Sequence, residues 1–370
     1  MEHVFWLEHY PRSISGIIEY LSNTERVYCI CCKTNIYNSR ERMGWGREQL
    51  SKVEFVYLDT LDIYTQKSFL SAFLKSHSCA IHYIMGLRYG NISVIVREYL
   101  LKKSIYNIFV ISERPYMYGK TWAERFLLKK YYYYLGLKYR NRIKGVFAMG
   151  QSGVDAYQLW AKGNVFNFLY PRFNVVDTKM CKHSSPIKAL YVGQLDRRKG
   201  VDLLLDCIDD FIGVLDLSIV GANGNIEKQT ISRIERSSNV RYLGVWNSQD
   251  VCIKASTYDV CVVPSRYDGW GMFVMEAIEA GVGVITTDQT GSKDLVIASE
   301  AGMVVKANSS KELQIALKYI VNNPSVVDEW KLLACKYKER ITKESVGRYF
   351  RQCIDFAMST CDNYPMCPWF

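Results

Sequence analysis

Two stretches of this 370-residue chain put charged side chains next to glycine-rich turns. In RYDGWGMFVMEAIEAGVGVI, residues 266–285, Asp268 sits in a turn with Gly269, Trp270 and Gly271, and Glu276 falls in the first turns of the helix that follows. In LYVGQLDRRKGVDLLLD, residues 190–206, an apolar strand ends at Gly193. A basic turn, Arg197-Arg198-Lys199-Gly200, comes next, then an amphipathic helix beginning near Val201. Cations and helix amides at the carboxyl end of a parallel strand suit a phosphate; an ordinary solvated turn has the same composition. An acid near a helix start complements the helix dipole. The same acid can accept hydrogen bonds from vicinal hydroxyls such as those of a ribose, and the glycines let a ligand come close to backbone N–H groups.

These turns need a scaffold, and the chain supplies one in short apolar runs separated by helical stretches. In the first half the runs are 3–9, 26–32, 53–59, 79–86, 106–112 and 145–150; in the second they are 188–193, 215–221, 240–244, 259–265, 282–287 and 302–305. Near-continuous apolar runs mark strands buried on both faces, hence parallel sheets. Two such series predict an α/β protein with two Rossmann-like doubly wound domains facing a cleft. The expected division is an N-terminal domain over 1–172, a C-terminal domain over 186–345, and a final segment 346–370 whose helix, 346–358, crosses back to the first domain. The boundary is placed in the polar, proline-containing stretch 171–187.

Taken together, GQLDRRKG (193–200), PSRYDGWGMFVMEAIEAGVGVI (264–285) and TGSKDLV (290–296) resemble the second domain of the retaining glycosyltransferases of family 4, the GT-B type, in order, spacing and flanking strands. The resemblance is strong over 188–300 and architectural over the first domain. It implies an enzyme that moves a sugar from a nucleotide-sugar donor to a hydroxyl of a saccharide or lipid-linked saccharide, with retention of configuration, in cell-surface polysaccharide synthesis. By that resemblance Lys199 neutralises the diphosphate, Asp268 contacts the transferred sugar and Glu276 holds the ribose. Gln194, Arg198, the amides of Gly271, Met272 and Phe273, and Gly16 from a first-domain loop would line the donor. Arg197 is an alternative to Arg198.

The chain departs from the family pattern at Gln194, where an Arg is usual, at Asp268 (usually Glu), at Gly283 (usually Pro), and in the region of Glu113, where many members have a His. The first two departures keep open a non-catalytic subunit that supports an active partner. His9 and His82 either face the cleft or serve the structure.

Composition narrows the field further. The net charge of +10 suits an anionic partner. No His/Cys/Asp cluster has metal-binding spacing, and the absence of an Asp-x-Asp tripeptide fits a metal-independent donor site; no cofactor is expected. The twelve cysteines read as free thiols in a reducing compartment, and the first residues do not resemble a signal peptide, so a cytoplasmic protein is expected. No apolar stretch is long enough to span a bilayer. Residues 120–144 carry eight basic residues against one acid, with Trp122, Phe126 and five tyrosines. This segment reads either as an interdomain or solvent-facing helix or as a peripheral contact with an anionic membrane; no nucleic-acid motif accompanies it.

Overall fold

The computed structural model describes residues 1–34, 50–88, 90–102, 105–161, 163–171, 182–224, 228–359, 361 and 363–370. Part of the expected linker, 172–181, lies outside them. The described residues divide into two compact units. One takes those of 1–34, 50–171 and 343–368; the other takes 182–342 together with Trp369 and Phe370.

The first unit is built on a seven-stranded sheet, all parallel, in the order β3-β2-β1-β4-β5-β6-β7. Its strands are β1 Glu2–Leu7, β2 Arg26–Cys31, β3 Val53–Tyr57, β4 Ile81–Met85, β5 Asn107–Ser112, β6 Ile143–Met149 and β7 Val165–Phe168. The helices between them are α1 Arg12–Ser22, α2 Ile63–Ser76, α3 Ile92–Ile95, α4 Trp122–Tyr139 and α5 Gly150–Gln158. Val4, Phe5 and Trp6 of β1 are fully buried, as both faces of a parallel strand must be when helices cover them.

The second unit holds a six-stranded parallel sheet in the order β10-β9-β8-β11-β12-β13. Its strands are β8 Ile187–Val192, β9 Leu215–Val220, β10 Val240–Tyr242, β11 Val260–Val263, β12 Gly283–Thr287 and β13 Gly302–Val305. Its helices are α6 Val201–Ile208, α7 Lys228–Arg236, α8 Val251–Ala255, α9 Met272–Glu279, α10 Lys293–Ser299, α11 Ser310–Asn322 and α12 Ser325–Tyr337. In each sheet the order reverses beside the first strand of the series, β1 or β8. That switch point is where open α/β sheets leave a crevice at the carboxyl ends of the strands.

The last helix, α13 Lys343–Ala357, packs on the first unit. Gly347 allows this: a Cβ there would lie 2.4 Å from the Tyr20 ring of α1. Phe350 stacks on Phe147 of β6, centroids 4.2 Å apart. Lys343 Nζ is 3.0 Å from Glu19, and Arg351 pairs with Glu25, which also takes His3 Nε2 at 2.7 Å. Burial alone would raise the Glu25 pKa, but the hydrogen bonds from His3 and Arg351 outweigh it and bring the carboxyl down to about 2.

Candidate functional site

In the second unit the two motif turns are held against each other by their own backbones. Gly200 precedes α6 with φ 75°, in the left-handed region, and a Cβ there would lie 2.1 Å from the carbonyl oxygen of Pro264. Only glycine meets both demands. The Arg266 amide then donates to the Arg198 carbonyl at 2.8 Å, and Arg198 Nη1 donates to the Tyr267 carbonyl at 3.1 Å.

Arg266 acts as the strap. Its guanidinium makes a two-pronged pair with Asp202, both contacts 2.7 Å, and donates to the Arg197 carbonyl and to Asn308 Oδ1, each at 2.6 Å. Bidentate pairs of this kind are the strong, geometrically specific ones. Arg266 lies inside the quoted motif, yet its spacing carries no sign that its partners sit 64 and 69 positions earlier and 42 later.

A second glycine-opened helix completes the arrangement. Gly271 precedes α9 with φ 90°. A Cβ there would lie 2.5 Å from Thr290 Cγ2 and 3.0 Å from Ser292 Oγ. The turn 290–292 supports it from behind. The Asp268 amide donates to the Gln289 carbonyl (3.1 Å), the Gly291 amide to the Asp268 carbonyl (3.2 Å), the Ser292 amide to the Trp270 carbonyl (2.7 Å) and Ser292 Oγ to the Gly271 carbonyl (2.9 Å). Thr290 and Ser292 are buried; the sequence marked their stretch, 290–296, but gave neither residue a role.

Lys199 and Asp268 meet directly: Lys199 Nζ donates to Asp268 Oδ2, both side chains partly buried. The Lys199 amide is itself fixed by Asp196 Oδ1 at 2.7 Å. Met272 and Phe273 open α9, so their amides precede its first full hydrogen-bonded turn. Glu276, fifth in that helix, is partly buried. The Glu276 carbonyl accepts from Cys252 Sγ of α8 at 3.5 Å. Gln194 follows β8 and lies along Gly224, where a Cβ would be 3.0 Å from its Cγ.

The arrangement therefore joins a cation, a carboxylate and two helix N-termini in one place. Such N-termini attract anions, and an ion pair beside them can open to offer its cation to one.

The first-unit candidates fall differently. Gly16 is buried inside α1, not in the loop before it. A Cβ at Gly16 would lie 2.4 Å from the Pro171 carbonyl oxygen, so its bareness serves that close approach. His82 is wholly buried; its Nδ1 accepts from Trp6 Nε1 at 3.1 Å and its Nε2 reaches the His77 carbonyl at 3.2 Å. Burial, only partly opposed by that backbone hydrogen bond, holds its pKa down at about 4. It serves the core. His9 is also buried. Glu113 follows β5, and its carbonyl accepts from Tyr157 Oη at 3.0 Å. Among the described residues no group of three His, Cys, Asp or Glu could hold a metal.

The fold places the chain in a class, that of proteins with two parallel-sheet, Rossmann-like α/β domains in the GT-B arrangement of elements. The crystal structure of Anabaena HepE in complex with UDP has this fold: TM-score 0.70 at 13% identity, covering 98% of this chain and 100% of that one. At the level of sequence, residues 179–339 match the family described as glycosyl transferases group 1. The chain is 28% identical over 136 residues to an uncharacterized glycosyltransferase of Methanocaldococcus jannaschii, 36% of this chain and 38% of that protein. It is 28% identical over 127 residues to O-antigen chain mannosyltransferase B of Escherichia coli, 32% and 33% of the two chains. The chain thus spans about a third of the length of these relatives. The matched region contains every residue of the two motif turns and their supports described above.

Proposed function

We propose that the chain is a glycosyltransferase that takes a sugar from a nucleotide-sugar donor and transfers it to a hydroxyl of a saccharide or lipid-linked saccharide, with retention of configuration, in the building of a cell-surface polysaccharide. One observation carries the reading: the Lys199–Asp268 pair stands where two glycine-opened helices begin, inside the segment that matches the glycosyl transferases group 1 family. The relative named as an O-antigen chain mannosyltransferase and the UDP held by a protein of the same fold support the substrate class.

In this reading the donor diphosphate displaces Asp268 from Lys199. Lys199, Arg198 and the first amides of α9 at Met272 and Phe273 then meet the charge that grows on the leaving phosphate. Preorganised donors of this kind each contribute on the order of 3 kcal/mol. Gln194 adds a neutral hydrogen bond and the close approach at Gly271 keeps the backbone within reach. Asp268, once released, accepts from a hydroxyl of the transferred sugar, and Glu276 accepts from the ribose. The donor's own phosphate oxygen takes the acceptor proton on the face from which the leaving group departs, so retention needs no separate protein base. The proposal assigns charge neutralisation to these groups and no metal to the site.

Thermal unfolding of the wild type and Glu276→Ala against UDP-, GDP-, dTDP- and ADP-sugars tests it. A ligand at 100 times its Kd adds about 2.7 kcal/mol to the folded state. A shift with one nucleotide class, lost in Glu276→Ala, supports the reading, and sugar transfer from that donor completes it. Binding without any turnover or hydrolysis of the donor would favour a non-catalytic subunit. No shift with any donor, from a folded sample, would overturn the donor site.

A further inference from the structure

At the amino ends of β6 and β7, the opposite end of the sheet from the crevice, the first unit holds a cavity of about 230 Å³. Clefts that take drug-sized ligands run to roughly 300–1,000 Å³, so an occupant here must be small. The lining includes Arg140, Asn141, Lys144, Trp160, Asn164 and Ala357, and no Asp or Glu. Its walls are fixed by close packing. Helix α4 buries Leu135 and Tyr139 in the unit and leaves Trp122 and Phe126 outward. Gly136, on the buried side, lies so close to Trp160 that a Cβ would come within 2.3 Å of its ring. Tyr157 meets the same ring edge to face at 5.8 Å. Trp160 is thus held from two directions.

The polar groups divide into two kinds. Asn164 ties the strand starts together: its carbonyl accepts from the Val146 amide and its Nδ2 donates to the Lys144 carbonyl, both at 2.8 Å. With the nitrogen used there, Oδ1 is what this side chain offers a ligand, and Oδ1 accepts from hydroxyls. Helices α4, α5 and α13 also end beside the cavity, where Arg140, Trp160 and Ala357 line it. Helix ends present carbonyls without intrahelical partners and carry the negative end of the dipole. Such a lining suits hydroxyl donors and by itself turns an anion away. Two cations reverse that on one side. The last turn of α4 already has Lys138, whose Nζ lies 5.3 Å from the Tyr139 centroid. Arg140 and Lys144 come after it, are exposed, and make no ion pair among the described residues. A guanidinium with an ammonium close by in sequence is a pair that takes a phosphate.

We infer that this cavity binds a small sugar phosphate, with the phosphate on Arg140 and Lys144, the hydroxyls on Asn164 Oδ1 and the helix-end carbonyls, and the rim of the Trp160 ring against the sugar's C–H groups. Ala357 is the last residue of α13, so an occupant also holds that helix end against β6. The inference goes beyond the donor chemistry, and its test uses no nucleotide, so the two can fail separately. Titration calorimetry of the full chain compares glucose 1-phosphate, glucose 6-phosphate and mannose 6-phosphate with glucose and with inorganic phosphate. At least one sugar phosphate binds about tenfold or more tightly than either glucose or phosphate, because only it engages both kinds of group. Arg140→Gln with Lys144→Gln weakens that binding about tenfold or more, and Arg140→Glu with Lys144→Glu removes it. Both pairs change exposed side chains, so their melting temperatures stay near that of wild type. Lys199→Ala leaves the binding unchanged, and the ligand slows amide exchange across 141–146 and 164–168 but not across 193–200.

No heat from any of the three sugar phosphates would overturn the inference. So would inorganic phosphate binding as tightly as they do, since the cations would then hold an adventitious ion only. Binding that is lost in Lys199→Ala and kept in Arg140→Gln with Lys144→Gln would place the ligand among the donor groups of the second unit and also overturn it.

Discussion

Gly200→Ala isolates the backbone crossing on which the site depends. The substitution meets two costs. Its φ of 75° is left-handed, about 1–2 kcal/mol for a residue with a Cβ. The new Cβ would also stand 2.1 Å from the Pro264 carbonyl oxygen, a backbone atom that no rotamer change can move aside. Forcing atoms into a packed region adds about 1–3 kcal/mol. Alanine lowers the entropy of the unfolded chain, which returns about 0.4–1 kcal/mol. The net expectation is a loss of about 2–4 kcal/mol. Gly213 is the control: it lies in the same unit, has φ 82°, and has no atom within 4 Å of where a Cβ would go. Gly213→Ala should cost only about 1 kcal/mol, the conformational part. Urea unfolding of the full chain, with amide exchange across 187–305 to report on the second unit, measures both. Gly200→Ala should also weaken binding of the nucleoside diphosphate, since Lys199 is its neighbour, while Gly213→Ala leaves it alone. Equal destabilisation by the two substitutions would refute the collision argument and with it the role given to the crossing.

Three more expectations follow from particular contacts. Arg266→Ala removes the pair with Asp202 and the bonds to Arg197 and Asn308; it should raise the Kd for the diphosphate by about tenfold or more, with Arg266→Lys restoring little because its single ammonium cannot span both carboxylate oxygens. Calorimetric titration of the two variants reads this. Lys199→Ala should weaken the same binding by about 2–3 kcal/mol and flatten its dependence on salt, as expected for the loss of a charged hydrogen bond; an unchanged salt dependence would count against Lys199 as the phosphate cation. His82 has its folded pKa lowered from 6.5 to about 4, so between those values the unfolded chain binds a proton that the folded chain does not. Stability should fall by about 3 kcal/mol from this group as the pH drops from 6.5 to 4, at 1.36 kcal/mol per unit. His82→Asn, which keeps an acceptor near Trp6 without titrating, should show a shallower fall in urea midpoints over that range, and an identical slope would refute it.

Much of the fold was legible because parallel strands covered on both sides must be apolar along their whole length. Twelve strands fall on apolar runs of the sequence, from β1 through β6 and β8 through β13, although β3, β9 and β10 carry Glu54, Asp216 and Arg241 within them. β7, VFNF, was not among the runs: its four residues include Asn167 and follow closely on β6 and α5. Gly16 was misplaced for a related reason. A glycine soon after a strand end and a proline suggests a loop, but this one lies within a helix that starts at Arg12, and its use depends on Pro171, far along the chain.

The residue types at the site, Lys199, Asp268 and Glu276 with their glycines, could be read from the chain because short motifs carry their chemistry in fixed local spacing. So could the charge and aromatic content of 120–144. The tertiary structure alone decided that Lys199 faces Asp268 across 69 residues, that Arg266 ties the two turns together, that His82 belongs to the core, and that the aromatic side of α4 is left outward. Those outcomes depend on which strands become neighbours and which helix face is used up in packing. Both are settled by long-range burial, which no local spacing encodes.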